Sequence, residues 1–320
     1  MDIQVQPVKT MIKNKTVLIT GGAGFIGSHL AQELCTENHV KVFDNFSTGS
    51  AKNLRGIELE IIEGDIRNLD EVKNALNGVN IVFHEAAVVS VDRATEDPFE
   101  SMSTNILGTL NLLNACLDSD VERIIYASSS EVYGEPEYLP MDEKHPLNPN
   151  SCYGVSKLAG ERYCLVFHEL YGLKTTCLRY FNVYGPRQRS TIYGGVVSIF
   201  VKRLLENKPP IIFGDGNQTR DFTYIRDNVL ANILAVNKRR SIGEVINIGT
   251  QCQTSINKLA ELLIKITDSD LTPEYTKPRP NDILRREADI SKAKRLLGYE
   301  PRYTLEKGLE ELVEWAKKEY

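Results

Sequence analysis

Tyr153 and Lys157 stand at i and i+4 in the segment YGVSK, a spacing that puts both side chains on one face near the start of a helix. In a chain with 14 tyrosines such a pair also arises by chance, so its position decides more than its spacing. It follows a β-rich run, RIIYAS (123 to 128), whose end carries Ala127, Ser128, Ser129 and Ser130. Polar strand ends of this kind are where ligands bind in open α/β sheets. A tyrosine with an ordinary pKa of about 10 works as a base at neutral pH when a cation lowers it. Lys157, with the positive charge of a nicotinamide, would be that cation. A serine beside it can hydrogen-bond the substrate oxygen that gains or loses the proton. The chemistry is alcohol oxidation by hydride transfer, with Ser129, Tyr153 and Lys157 as the catalytic set.

A hydride needs an acceptor, and the N-terminal part of the chain carries a place for one. Thr20 to Ser28, TGGAGFIGS, directly follows the β-run TVLIT (16 to 20) and opens a helical pattern. Gly21, Gly24 and Gly27 there allow a tight turn, close approach of a pyrophosphate, and packing of the helix on the sheet. The free N–H groups at the helix start, around Phe25 and Ile26, favour phosphate charge. Asp44 lies 20 residues after Gly24 at the end of the second β-run, where a carboxylate accepts from ribose hydroxyls and repels a 2′-phosphate. That combination predicts NAD rather than NADP, although Asp44 to Ser47 taken alone also reads as a surface turn. Asn45, Ser47 and Gly49 continue this loop and are grouped with the cofactor site. Asp65 and Ile66 follow the third β-run, a placement that would set Asp65 against the adenine amino group; alone it fits an exposed turn equally well.

Elements that would position these residues alternate along the first half. Candidate strands are 16 to 20, 40 to 43, 59 to 63, 80 to 84, 123 to 128 and 174 to 180, and helical spacing fills 24 to 36, 69 to 77, 98 to 118 and 151 to 172. Repeated βαβ units of this kind predict an α/β fold, a doubly wound parallel sheet of the Rossmann type. After Tyr180, Gly185-Pro186, Gly194-Gly195, Pro209-Pro210, Gly214-Asp215-Gly216 and the run from Thr276 to Pro280 break the regularity. The expected division is a dinucleotide-binding domain over 1 to 180 and a smaller substrate lobe over 181 to 320, with some segments returning to the first domain. Thr304 reads as the N-cap of a closing helix with Leu305, Leu309, Leu312 and Trp315 on one stripe.

Composition narrows the class without naming it. The 320 residues are 42% hydrophobic and 25% charged with 22 Gly and 13 Pro, which argues against collagenous, disordered and mucin-like chains. A net charge of -5, without any long basic run, makes nucleic acid an unexpected partner. The first residues lack the apolar core of a signal peptide, and no stretch approaches the roughly 18 apolar residues of a membrane span. A cytoplasmic chain away from membranes is expected. Six cysteines, Cys35, Cys116, Cys152, Cys164, Cys177 and Cys252, show no zinc-like spacing and read as buried thiols in a reducing compartment, with no metal expected.

From about Lys15 to its C-terminus the chain resembles the extended short-chain dehydrogenases/reductases, and within them the NAD-dependent epimerase/dehydratase group that acts on nucleotide sugars. The segments that carry the resemblance include TGGAGFIGSHL, HEAAVVSV (84 to 91), NILGTLNLL (105 to 113), SSSEVYG (128 to 134), YGVSK, RYFNVYGPRQ (179 to 188), RDFTYIRD (220 to 227) and RPNDI (279 to 283). The resemblance implies Tyr153 as general acid/base, Lys157 as its partner and holder of the nicotinamide ribose, and Ser129 as the hydroxyl partner. It implies Ala86, Ala87 and Asn105 on the nicotinamide side. Ser90, Ser130, Glu131, Asn182, Arg220, Arg279 and Asp282 fall with the substrate, the arginines on a diphosphate and Asp282 on a ribose. Fork-shaped arginine donors suit a diphosphate; Arg220-Asp221 and Arg279-Asp282 also read as mutual surface pairs. A homodimer through the helices at 98 to 118 and 151 to 172 is implied too, with Leu113, Leu117, Leu165 and Leu170 as candidate apolar contacts.

Within that group the sequence favours C4 inversion of a UDP-hexose through a 4-keto intermediate, glucose/galactose or their N-acetyl forms. The Asp-Glu pair that 4,6-dehydratases carry is replaced by Ser130 and Glu131. Ser-Glu resembles UDP-glucuronate decarboxylases, while YGVSK and Arg220-Asp221 depart from them; Glu131 reads equally as a loop carboxylate bound to N–H groups. Arg286 falls at the wall position that gates N-acetyl sugars, as a long flexible side chain. A dinucleotide-binding sensor or scaffold is the non-enzymatic alternative, which would tolerate loss of Tyr153 or Lys157.

Overall fold

The computed structural model describes residues 12–190, 194–279 and 283–319. Seven parallel strands form the main sheet: β1 (Thr16–Thr20), β2 (His39–Asp44), β3 (Glu60–Glu63), β4 (Ile81–His84), β5 (Arg123–Ser129), β6 (Thr175–Tyr180) and β7 (Glu244–Ile248). Their spatial order is β7-β6-β5-β4-β1-β2-β3. The order reverses between β1 and β4, and a crevice at such a switch point is where doubly wound sheets bind ligands. β7 lies outside the strands expected from the sequence; it returns from the C-terminal half to pair with β6, Val245 opposite Cys177.

Both faces of the sheet are covered, and the strands are apolar on both sides as a result. On β1, Val17 and Ile19 join one core cluster while Leu18 joins the other, and β5 divides likewise into Ile125 and Ala127 against Ile124 and Tyr126. Helices α1 (Phe25–Leu34), α2 (Leu69–Ala75), α3 (Val91–Glu96), α4 (Pro98–Met102), α5 (Gly108–Leu117) and α6 (Cys152–Tyr171) fill the connections. The expected single helix over 98 to 118 is interrupted by a π turn at Ser103–Leu107. Such turns occur often at functional positions, and this one carries the buried Asn105.

The C-terminal half supplies α7 (Val196–Leu205), α8 (Ile225–Asn237), α9 (Ile256–Ile266), α10 (Ser291–Leu297) and α11 (Leu305–Glu319), with three two-stranded pairs between them. Thr304 caps α11 by accepting from the Lys307 N–H at 3.3 Å. Leu309 and Leu312 on that helix are buried. Two expectations change. Cys152 and Cys252 are exposed rather than buried, Cys152 because it opens α6 at the helix surface. Leu113 is 1% exposed and packs toward the sheet, so it is not available to a partner. No helix among the described residues is long and apolar enough to cross a membrane.

Candidate active site

At the end of β1 the chain turns through Gly21, whose φ of +67° suits glycine; a Cβ there would lie 2.7 Å from the Ala86 nitrogen. Gly27 lets α1 close onto this turn, since its Cβ would stand 2.4 Å from the Gly21 carbonyl oxygen. Gly24 is the N-cap of α1 and provides no side-chain cap. The first N–H groups of the helix, from Phe25 and Ile26 onward, are therefore left to an outside acceptor. That is a phosphate cradle by construction.

Asp44 closes the same turn. Its Oδ2 accepts from the Ala23 N–H at 2.9 Å and its Oδ1 from the Phe46 N–H at 2.8 Å. Burial pushes its carboxyl up and the two N–H bonds pull it down, with burial the larger effect. Each oxygen keeps a further lone pair for a ribose hydroxyl. Gly49 fits against this carboxylate, where a Cβ would lie 3.0 Å from Oδ1. Asn45 accepts from the Ser47 N–H at 3.0 Å and donates to Asp65 at 2.9 Å. Asp65 is also held by a two-pronged pair with Arg67 at 2.9 and 2.7 Å. That arginine keeps its carboxyl well below the usual range. Ile66 is buried beneath Gly108. These groups fit NAD: an uncapped helix start, a carboxylate with spare acceptors, and a polar loop around the adenosine end.

Across the switch point, β4 runs into His84, Glu85, Ala86 and Ala87. The Ala86 N–H donates to Thr20 Oγ1 at 3.3 Å. Asn105 is fully used within the chain: its Oδ1 accepts from the Val88 N–H at 2.7 Å, and its Nδ2 donates to the Val88 carbonyl and the Ser156 hydroxyl. It ties the loop after β4 to α6. Ser90 caps α3, accepting from the Arg93 N–H at 3.2 Å.

The structure brings Ser129 and Tyr153 together. β5 ends at Ser129, whose hydroxyl accepts from the Glu131 N–H at 3.2 Å and stands near enough to the Tyr153 phenol to act on it. Helix α6 starts under Ser151, which caps it by accepting from the Gly154 N–H at 3.0 Å. Gly154 lets that helix approach the turn after β5; a Cβ there would lie 2.6 Å from the Glu131 carbonyl oxygen. The lowering of the Tyr153 phenol expected from Lys157 is not seen in the protein alone: burial pushes it above its ordinary value, the charges of Glu131 and Glu85 push it up further, and of its neighbours Ser129 pulls it down. Lys157 is 3% exposed, with Nζ 4.5 Å from the centre of the Tyr126 ring. Burial presses its ammonium down, and Glu85 holds it up.

Glu131, partly exposed, forms an ion pair with the buried Arg286. Arg286 also lies 3.3 Å from the Ser130 hydroxyl. Burial alone would raise the Glu131 carboxyl; Arg286, with help from Arg220, outweighs it and holds the group below its ordinary value. Two sequence expectations are corrected here. Arg286 is a pinned residue, 2% exposed, rather than a flexible wall, and Glu131 is bound to a guanidinium rather than to loop N–H groups. Nε and Nη2 of Arg286 are buried and have no hydrogen-bond partner among the described residues.

Asn182 adopts a φ of +33° and donates to the Asp221 carbonyl at 3.2 Å. Arg220 donates to the carbonyls of Thr219 and Ile283 at 2.9 and 2.6 Å. Asp221 is buried and accepts from the backbone of Thr250, Gln251 and Ala288. Arg279 is exposed and lies over the Phe213 ring, 4.4 Å from its centre. Asp282 lies outside the described residues. Sequence reasoning passed over Glu85, although it stands in the quoted HEAA segment, because a single acid at a strand end carries no spacing signal.

A Gly-rich turn at the switch point, with Ser129 and Tyr153 at the neighbouring strand and helix ends and Lys157 buried one turn on, is an arrangement that fits a bound dinucleotide and proton transfer. The chain belongs to the NAD-dependent epimerase/dehydratase family, whose model matches residues 17–249. It is similar to the UDP-glucose 4-epimerase of Thermotoga maritima, solved with UDP-glucose: 40% identity, 95% of this chain and 99% of that one, TM-score 0.92. It is similar also to a UDP-N-acetylglucosamine 4-epimerase of Methanobrevibacter ruminantium M1, solved with UDP-N-acetylmuramic acid: 37% identity, 97% and 100% coverage, TM-score 0.93. A Bacillus cytotoxicus UDP-N-acetyl-alpha-D-glucosaminuronate decarboxylase is 36% identical over 318 residues, covering 95% of this chain and 98% of that protein.

Proposed function

We propose that the chain is an NAD-dependent isomerase that inverts C4 of a UDP-hexose, glucose/galactose or the N-acetyl forms, through a 4-keto intermediate. The observation that carries this reading is the placement of Ser129, at the end of β5, beside Tyr153, with Lys157 buried one turn on along the same helix. Tyr153 takes the C4 hydroxyl proton as the C4 hydrogen leaves with its electron pair, and gives a proton back when hydride returns to the opposite face. Bound NAD supplies the acceptor that takes up this hydride and returns it, so each cycle is redox-neutral. Ser129 holds the reacting oxygen, and Lys157 stabilises the phenolate by charge.

Gly21, Gly24, Phe25, Ile26 and Gly27 would hold the pyrophosphate, Asp44, Asn45, Ser47, Gly49, Asp65 and Ile66 the adenosine end, and Ala86 and Ala87 the nicotinamide end, with Asn105 acting by fixing the loop that follows them. Arg220 and Arg279 would grip the diphosphate, with Ser90, Ser130 and Asn182 lining the sugar side. The N-terminal 180 residues serve as the cofactor domain and the rest mainly as the sugar-nucleotide lobe. Incubation with UDP-glucose and UDP-N-acetylglucosamine followed by NMR tests the reading. A C4 epimer at unchanged mass is expected; a 4-keto-6-deoxy product would overturn it.

Arg286 favours one further substrate. Its Nε and Nη2 form the side-on edge of the guanidinium, which pairs with carboxylates in a two-pronged way. An unpartnered edge of this kind beside Ser130 and Glu131 fits a hexose whose C6 is a carboxylate. UDP-glucuronate therefore belongs in the same assay, where a pentose product would mark decarboxylation in place of inversion.

The chain works as a cytoplasmic homodimer in this reading. Phe99, Met102, Leu107 and Leu117 on the α4 to α5 run, and Val155, Tyr163, Val166, Leu170 and Tyr171 on α6, are exposed large apolar residues. So many on two adjacent helices exceed what an isolated surface commonly carries and suit a two-fold interface.

A further inference from the structure

Tyr126 is buried on β5 and meets Lys157 at two points. Its ring faces the Lys157 Nζ, 4.5 Å from the ring centre, and its hydroxyl donates to the Lys157 carbonyl at 3.2 Å. A carbonyl inside a helix already accepts from the N–H four residues on, so the phenol takes its second lone pair. Burial pushes that phenol well above its ordinary value, which keeps it a donor. Gly160 makes the approach possible, since a Cβ there would stand 2.2 Å from the Tyr126 hydroxyl oxygen. A glycine inside a helix weakens it, and α6 carries this one where the ring meets its lysine. From β4, the His84 ring lies 5.7 Å from that of Tyr126 and is itself fixed by the hydroxyls of Thr20 and Thr109, 2.7 and 2.9 Å away. We propose that Tyr126 is a positioning residue of the proton-transfer set: its ring face holds the Lys157 ammonium without taking an N–H donor, which leaves those donors to the cofactor ribose and the Tyr153 phenolate. This rests on the reading of Tyr153 and Lys157 as the proton-transfer pair.

A cation over an aromatic face is drawn to the negative charge of that face, most strongly where water is excluded. Lys157, 3% exposed, is such a case. A carboxylate in the ring's place would fix the ammonium by accepting from one of its three N–H groups. The ring spares all three. Burial presses the ammonium down, while Glu85, Cys164, Cys177 and Glu161 act to hold it up. Glu85, after β4, accepts from the Tyr180 hydroxyl at 3.0 Å. Glu161, on α6, is paired with Arg179 and accepts from the Ser128 hydroxyl at 2.8 Å. Burial pushes the Cys177 thiol up, which keeps it uncharged, and burial holds His84 neutral. Tyr153 lies one turn before on the same helix. All of these stay as they are when the charge of the ring face is changed and its shape is not, so the ring can be tested by itself.

The test compares Tyr126→Phe with full chains that carry difluorinated or pentafluorinated phenylalanine at the same position, each with its bound NAD. Fluorine drains the negative face of the ring and changes its size little. Two readouts are taken: titration of the Lys157 Cε resonance in lysine-labelled protein, assigned by its loss in Lys157→Met, and the pH profile of kcat on the UDP-sugar the wild type turns over best. Tyr126→Phe keeps the ring and should leave the lysine pKa and the alkaline limb in place. The fluorinated rings are expected to lower both stepwise, by about one unit across the series. A lysine pKa and a limb that ignore fluorination would reduce Tyr126 to packing and overturn the proposal. If a fluorinated ring is not accommodated, Tyr126→Leu, apolar and without an aromatic face, should show the same lowering. Failure of all three of these to fold, read by circular dichroism, would make the ring structural and overturn it too. A wild type inactive on every UDP-sugar defeats the proposed function itself, a result distinct from an active enzyme whose lysine ignores the ring.

Discussion

Arg286 grips Glu131 across 155 positions of sequence, and its remaining edge, Nε and Nη2, is buried without a partner among the described residues. A buried cation with two idle donors is costly, at about 1–3 kcal/mol for each unsatisfied group. A ligand carboxylate would relieve that cost. Arg286→Met is therefore expected to lower kcat/KM on UDP-glucuronate by about tenfold to a hundredfold more than on UDP-glucose, the worth of a charge-assisted hydrogen bond. Equal losses on both substrates would assign Arg286 only to holding Glu131.

Tyr153→Phe removes the phenolic hydroxyl and keeps the ring. Turnover should fall by about 100-fold to 10,000-fold, the usual worth of a positioned acid/base, while NAD content and UDP-sugar affinity by calorimetry stay near wild type. More than a tenth of wild-type turnover would remove Tyr153 from its role.

The buried Asp44 carboxylate would repel a 2′-phosphate set beside it. NAD, and not NADP, should be released on acid denaturation of the purified protein, since an enzyme that regenerates its cofactor each cycle gains nothing by letting it go. NADP in that extract would contradict the assignment.

His84 gives stability a defined acid dependence. Burial lowers its pKa to about 3, so the unfolded chain binds a proton below about pH 6.5 that the folded chain refuses. Stability from this group is present above pH 6.5 and is lost progressively as pH falls toward 3. From pH 6.5 to 5 the loss is about 2 kcal/mol, at 1.36 kcal/mol per unit. Urea unfolding of wild type and His84→Gln at the two pH values should show a shallower dependence in the variant; parallel curves would refute it.

Leu170 is 69% exposed on α6. Leu170→Glu should convert a dimer into a monomer in sedimentation at micromolar concentration with its far-ultraviolet spectrum retained. A wild type that sediments as a monomer would remove the interface.

The first six strands and the Gly-rich turn were legible because they are local. Alternation, a strand followed by TGGAGFIGS, and an acid 20 residues on are all read within short windows. β7 was not legible: Glu244–Ile248 is set in Gly-punctuated sequence, and its place beside β6 is decided by a pairing across 65 or more positions. The pairing of Arg286 with Glu131 and of Tyr180 with Glu85 was invisible for the same reason. Leu113 misled because helical spacing tells which residues share a face and not whether that face meets the sheet or a partner. The π turn at Ser103–Leu107 was missed because one extra residue in a turn leaves the apolar period nearly unchanged.

In the proposed site Asp44 would join two tasks in a single side chain: its oxygens fasten Ala23 and Phe46 and so shape the Gly-rich turn, and the same oxygens would choose the adenosine ribose. An engineer who wished to swap coenzymes could not simply delete the carboxylate. Two backbone donors would be stranded and the turn loosened along with the preference, at about 1–3 kcal/mol for each donor left unsatisfied. A workable swap would have to bring in a replacement acceptor for Ala23 before any arginine for the 2′-phosphate, which makes coenzyme choice in this chain a two-step change with an unstable variant in between.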